Sequence, residues 1–307
     1  MTGKRFFLFF VIFLLFSNYP IVGETVEREF GKIIEFRENG NIYLKNINGN
    51  VEAKSWDRND VEVKAVIKVK AGNIDDARDF LDEVKILIDA SFDNIAIEVD
   101  YPRRKGGGFW DLLFGWGKPK VSISFWLMVP KISNLDMNTT NGKIKIYDIE
   151  GKVFSKSTNG TISVEKVNGD AELRTTNGSI SADYVTGDIK ANTTNGKINM
   201  KGIVGNIDAK TTNGGISAVI VSVVKEKEMN FKTTNGSVAI SLSKDINAYL
   251  DARTTNGKIY TEFPILFQGE IKKNHITGKI NNGGPLIYIK TTNGGIKILE
   301  SNVREQM

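Results

Sequence analysis

Four residues recur at one spacing and could do chemistry: Phe154, Glu172, Lys190 and Asp208, each 18 positions from the last. Two carboxylates, a lysine and an aromatic ring are the parts of a polysaccharide-cleaving site. One acid would protonate the leaving oxygen, and the other would activate water or attack the sugar. The same row is also what a solvated β-sheet of mixed charge presents, and that plainer reading is adopted. The companion row, Lys145, Ser163, Ser181, Asn199 and Ser217, has no acid. Aromatic side chains between Asn141 and Gly214 are confined to Tyr147, Phe154 and Tyr184, which argues against a sugar platform along this stretch.

Composition removes other chemistries. The chain of 307 residues has no cysteine, which excludes thiolate metal sites, cysteine nucleophiles and disulfides. Its one histidine, His275, can build neither a multi-histidine metal site nor a proton relay, and it reads as a solvated side chain. Calcium-binding solenoid turns need a fixed aspartate, whereas these turns carry asparagine. Paired threonines could suggest ice binding, but here they are adjacent rather than alternate, so one of each pair should turn inward. No catalytic residue, metal site or cofactor is expected, and the chain reads as a non-enzyme.

The elements that would position such rows follow from an internal repeat. Thr-Thr-Asn-Gly, or Ser157-Thr158-Asn159-Gly160, recurs with asparagine spacings of 18, 18, 18, 18, 22, 21 and 37 from Asn141 to Asn293. The last is read as a double step around a degenerate motif at Thr277-Gly278. Beneath it, glycine recurs every nine residues from Gly142 to Gly214, and the same phase appears at Gly31, Gly40 and Gly49. With glycine as position one, position three is aliphatic (Ile144, Ile162, Ile180, Ile198, Ile216) and positions two, four and six are mostly polar. That alternation specifies half-buried strands. Position eight is apolar in one class (Ile149, Val167, Val185, Ile203) and threonine in the other (Thr158, Thr176, Thr194, Thr212), so both are expected to point inward. The following asparagine is expected in a left-handed turn.

A strand and turn every nine residues fits two architectures. Asn-Gly is a strong hairpin signal, so an antiparallel meander or barrel is the alternative. A β-solenoid with two strands per 18-residue coil is preferred. Identical corners recur at 18, and their stacking would gain from threonine and asparagine ladders. About eight coils are expected.

The flanks differ from the repeats. Lys4 and Arg5 precede the apolar run Phe6 to Phe16, too short to span a bilayer and suited to a signal-peptide core. Residues 1–23 are read as a cleaved export signal. Its loss leaves 39 basic against 36 acidic residues, so the net charge falls from +5 to +3 and nucleic acid is not an expected partner. Residues 24–70 hold the early β repeats and a strand at Asp60 to Lys70. Residues 71–130 read as an α+β segment that caps or flanks the solenoid, with a helix from Asn73 to Asp89 and strands at Asn94 to Tyr101 and Val121 to Val129. Residues 131–300 are the repeat domain, and 301–307 a polar tail. Between the two later strands lies the loop 103–120, in which glycines surround Phe109, Trp110, Leu113, Phe114 and Trp116, with Arg103 and Arg104 beside them. These seven residues are the candidate contacts for a partner or membrane surface. Rings closing the solenoid end are the competing use.

Early glycine repeats, a helix, a strand ending in Tyr101-Pro102-Arg103-Arg104, a glycine-aromatic loop, a strand ending in Val129-Pro130 and then Thr-Thr-Asn-Gly repeats make up the layout. It resembles the putative-adhesin family of bacterial β-strand-repeat proteins of unknown function, over roughly residues 30–300. The resemblance implies a β-solenoid-like fold, no established enzyme activity and no catalytic residues. The reading is an exported protein of the bacterial periplasm or cell surface with an adhesin-like binding or structural role. Its partner would be an envelope protein, a glycan or a membrane surface. The alternative is a glycan-active lyase or hydrolase on the same scaffold, which a groove holding two carboxylates and a basic residue would favour.

Overall fold

The computed structural model describes residues 25–102, 119–222, 227–267 and 272–301. Successive nonapeptides alternate between two sheets, one of 12 and one of 13 strands. In the first sheet Ile144, Ile162, Ile180, Ile198 and Ile216 stand side by side on parallel strands. In the second, Val153, Ala171, Ile189 and Ile207 do the same. All of them are buried in one continuous apolar core. Residues 18 apart are therefore parallel neighbours and the repeats form a β-solenoid. A meander would have paired successive nonapeptides antiparallel, and that alternative is excluded.

The two corner types turn by different means. At the variable corner Asp148, Lys166 and Tyr184 adopt left-handed backbone, with φ of 57°, 56° and 55°. That inserted kink shifts the alternation by one residue, so Ile149, Val167 and Val185 face the core. The Thr-Thr-Asn-Gly corner has no such kink and keeps its phase. Here the first threonine is the buried one, at Thr175, Thr193 and Thr211, while Thr176, Thr194 and Thr212 are exposed. This corrects the expectation that position eight points inward in both classes. The corner asparagines are not left-handed either. Their backbone bridges to the next coil in parallel, as between Asn177 and Asn195, and their side chains join in a column. Asn195 Nδ2 donates to Asn177 Oδ1 at 2.8 Å, and Asn213 to Asn195 at 2.8 Å.

The early residues join the stack rather than sit beside it. Gly40–Lys45 and Val51–Trp56 form a coil parallel to Ser133–Asn141 and Ile144–Glu150. Beyond it, Thr25–Glu35, Asp60–Lys70 and Lys120–Pro130 extend the first sheet, with antiparallel pairing of Asp60–Lys70 to each of the other two. The solenoid thus runs longer than the eight coils expected. The helix is Ile74–Glu83, capped by Asn73 Oδ1, which accepts the Asp76 N–H at 2.8 Å. Asp75 and Asp76 in its first turn suit the helix dipole. It buries Ala77, Phe80 and Leu81. The expected extension to Asp89 is wrong. Lys85–Ala90 is a strand antiparallel to Asn94–Asp100, with Ile88 opposite Ile97. Ile88 fits both the helical face and a two-residue period with Ile86, and pairing with Asn94–Asp100 decides for the strand.

The far end departs from sequence order. Leu286–Thr291 lies between Met229–Lys232 and Ala248–Thr254. Ile296–Ser301 lies likewise between Val238–Ser243 and Ile259–Thr261. The last coil is inserted into the stack ahead of the one that precedes it in the chain. The spacing of 37 is therefore not a double step. Thr277 and Gly278 belong to His275–Ile280, a strand antiparallel to Ala248–Thr254 and also to Ile265–Phe267, so the chain doubles back before the insertion.

Glycine at the repeated corner is required by contact. A Cβ at Gly196 would lie 1.9 Å from the Gly178 carbonyl oxygen, whereas one at Gly72 would meet nothing within 4 Å. Gly196→Ala is expected to cost at least the ~1–3 kcal/mol of an overpacked core. Gly72→Ala is expected to be neutral or to stabilise by ~0.4–1 kcal/mol through the unfolded chain. Urea denaturation of the two variants checks the pair, and equal losses would contradict the stacking described.

Candidate functional site

Outward side chains in a parallel stack form columns, because register fixes each one above its counterpart. On the second sheet one column runs Tyr43, Asp136, Phe154, Glu172, Lys190, Asp208. It lines an open groove of roughly 920 Å³. The structure thus brings together the four residues that sequence spacing singled out and extends the row by two. Asp136 was within reach of the same reasoning, since it lies 18 positions before Phe154. Tyr43 occupies position four of the nonapeptide that starts at Gly40. Tyr43 went unseen because the early coil is separated from the repeats by 71–130.

Each acid of the column has a cation or amide beside it. Glu172 pairs with Arg174 and is 3.9 Å from Lys190. Asp208 pairs with Lys210 at 2.8 Å. The Arg174 guanidinium also lies 6.0 Å from the Phe154 ring centre. Asp136 differs. Burial pushes its carboxyl above the ordinary range, opposed by a hydrogen bond donated by Asn138 Nδ2 at 2.5 Å. Tyr43 is also raised, by burial first and then by the charges of Glu98 and Asp136. At the rim, Lys227 donates to Asp188 at 2.7 Å, and that bond holds the Asp188 carboxyl below its usual value against the opposing effect of burial. The column is therefore a surface of rings and paired charge, with one carboxyl, Asp136, that burial raises above its ordinary range.

The remaining sequence candidates fall elsewhere. Arg103, Arg104, Phe109, Trp110, Leu113, Phe114 and Trp116 lie outside the described residues, as do residues 1–23 of the export segment. His275 is not a lone solvated side chain. Its Nε2 is 3.2 Å from Asp251 Oδ1 and 2.8 Å from Thr277 Oγ1. Among the described residues no group of three or more histidine or carboxylate side chains is placed to hold a metal ion.

Comparison with known proteins adds a family. No curated protein matches the chain. Three solved structures resemble it at low identity. A putative cell adhesion protein from Clostridium sporogenes is 14% identical, with 90% of this chain and 100% of that one covered and a TM-score of 0.28. A putative adhesin from Bacteroides fragilis is 9% identical, with 91% and 98% covered and a TM-score of 0.35. A putative adhesin from Parabacteroides distasonis is 10% identical, with 89% and 97% covered and a TM-score of 0.37. Likeness at that level carries no functional argument. The family model described as Toastrack DUF4097 matches residues 93–299, from the strand before the aromatic loop to the inserted last coil, and the chain belongs to that family.

Proposed function

We propose that this chain is an exported, non-enzymatic β-repeat protein with an adhesin-like binding role at the bacterial cell envelope. The observation that carries the reading is the groove on the second sheet. Its column of Tyr43, Asp136, Phe154, Glu172, Lys190 and Asp208 sets two rings, three acids and a lysine in register on hydrogen-bonded parallel strands. Rigid presentation of preformed side chains favours binding, because little conformational freedom is lost on contact. The export half of the proposal rests on Lys4, Arg5 and the run Phe6 to Phe16, followed by cleavage near Gly23. The loop holding Arg103, Arg104, Phe109, Trp110, Leu113, Phe114 and Trp116 is proposed as a second contact, with a partner or an anionic membrane surface.

A second reading has one observation in its favour. The groove does hold two carboxylates and a lysine, and Asp136, with its raised pKa, lies two strands from Glu172. At about 4.8 Å per strand this separation is close to the upper end for an inverting glycosidase. Phe154 occupies the strand between them, and Arg174 holds Glu172 in an ion pair, so binding remains the preferred reading.

Replacing Tyr43 and Phe154 together by alanine is expected to lower retention of the protein by bacterial envelope fractions about tenfold, the equivalent of about 1.4 kcal/mol. Both rings are half-exposed, so the melting temperature should move little. Unchanged retention would remove the groove from the reading. For the loop, Trp110→Ala with Trp116→Ala should reduce co-sedimentation with anionic vesicles and leave the melt unchanged. A loss of stability instead would assign the rings to the fold.

Asp136→Asn separates binding from catalysis. Because burial raises its pKa, the folded state binds the proton more tightly than the unfolded chain does. Its contribution is present at low pH and is lost as pH rises through the folded value. The asparagine variant should therefore melt higher than the wild type at pH 7, and the gain should vanish below about pH 3, where the ordinary carboxyl is protonated as well. An essential catalytic acid would show a second signature, loss of product release from an acidic or neutral glycan, which the binding reading does not expect.

A further inference from the structure

The neighbouring outward column of the same sheet is cationic. Lys156 and Arg174 are adjacent, and Lys210, Lys232, Lys290 and Arg253 follow one another on four consecutive strands. Insertion of the last coil sets the order within the run, placing Lys290 between Lys232 and Arg253.

Like charges directly opposite on neighbouring strands, about 4.8 Å apart, oppose folding. Nothing in the stack demands them. On the first sheet the equivalent coils place serine, asparagine and mixed charges outward. The columns through Ser181 and Asp183 set no two cations side by side, and the like-charged neighbours there are the acids Glu165 and Asp183. Nor are the cations of the second sheet fully neutralised. Lys210 pairs with Asp208 at 2.8 Å and Arg253 with Asp251 at 2.8 Å. Lys232 lies 5.0 Å from the centre of the Tyr288 ring. Lys290 is exposed and has no ion pair among the described residues. The surplus of positive charge is thus held by Lys232 and Lys290 on adjacent strands, flanked by the paired Lys210 and Arg253.

A ligand matched to that line is itself a linear, repeating anion. A chain of uronate sugars carries one carboxylate per ring, and its rise per ring is close to the separation of neighbouring strands. A nucleic acid strand would need a ring platform at each step, and this run offers Tyr288 alone. We propose that the column through Lys210, Lys232, Lys290 and Arg253 docks a linear acidic polysaccharide laid along the solenoid axis. This deepens the reading of the second sheet as the binding face and rests on it.

The test uses the mature chain, polygalacturonate as the probe, and its fully methyl-esterified form as the uncharged control. The wild type should be retained by polygalacturonate, less so as salt rises, and not by the ester. Lys232→Gln with Lys290→Gln should weaken retention about tenfold, equal to about 1.4 kcal/mol. The melting temperature should hold or rise, which separates lost binding from lost fold. Adding Ser181→Lys and Ser217→Lys to that variant restores the net charge on the opposite sheet and should not restore binding. Recovery in this last variant, equal retention of the ester, or no retention of polygalacturonate by the wild type would each overturn the proposal. If polygalacturonate fails while the Tyr43 and Phe154 substitutions still lower envelope retention, the binding face stands without this ligand. If both fail, the face itself is lost.

Discussion

One contact repeats at every Thr-Thr-Asn-Gly corner, and the stack depends on it. The glycine of each coil lies against the carbonyl of the glycine beneath, so close that a Cβ at Gly160, Gly178, Gly196 or Gly214 would fall within 1.8–2.0 Å of that oxygen. The same carbonyl accepts a hydroxyl bond from the threonine of the next corner. Thr193 Oγ1 donates to Gly178 at 2.9 Å and Thr211 Oγ1 to Gly196 at 3.0 Å. The asparagine between them passes its amide to the asparagine below. Two contacts thus converge on one carbonyl and a third runs beside them from asparagine to asparagine, and the corner cannot slip by a residue without losing all three. Each such bond contributes only ~0.5–1.5 kcal/mol net, so their weight lies in fixing register.

Because every corner of this type is built alike, any one fits any other. The asparagine column shows it at the far end. Asn293 donates to Asn235 at 2.7 Å and Asn256 to Asn293 at 2.8 Å, although Asn256 precedes Asn293 in the chain. Corner chemistry therefore does not encode coil order. The order is set by the hairpin of Ile265–Phe267 with His275–Ile280, and by the turn that follows. Asn281, left-handed at φ 51°, donates to the carbonyls of Lys244 and Ile246 and ties the returning chain to the coil before it. The last coil then has one slot open to it.

This explains what the sequence could and could not disclose. Period, inward row and solenoid class were legible, because glycine at nine and aliphatics at position three record the close contact and the core directly. Insertion of the last coil was not, because Thr291 and Asn293 would satisfy a corner at either place. The inward threonine was misassigned because its class was aligned with one whose left-handed residue, as at Lys166, shifts the phase. The helix was overrun at Val84 because Ile88 serves two periods. In the site, the row from Phe154 to Asp208 was legible at 18-residue spacing. Tyr43 was not, since its strand joins the repeats across a long intervening segment, whereas the cation run stood in the basic residue before Thr-Thr-Asn-Gly at Lys210, Lys232, Arg253 and Lys290 and was passed over.

The two sheets share the same interior logic and differ outside. Inward positions on both are aliphatic or small, and each presents two outward columns. The first sheet carries a largely neutral column through Ser181 and a mixed one through Asp183, where Glu165 lies opposite and, after burial, raises the Asp183 carboxyl. The second sheet carries instead a column of rings and acids beside a column of cations, with adjacent lysines that weaken the stack. Asp136 is kept there too, although burial disfavours its charge. The two faces differ in the sign of their adjacent like charges, acids at Glu165 and Asp183 on the first and the cation run on the second, so the proposed linear anion would find its countercharge along the second.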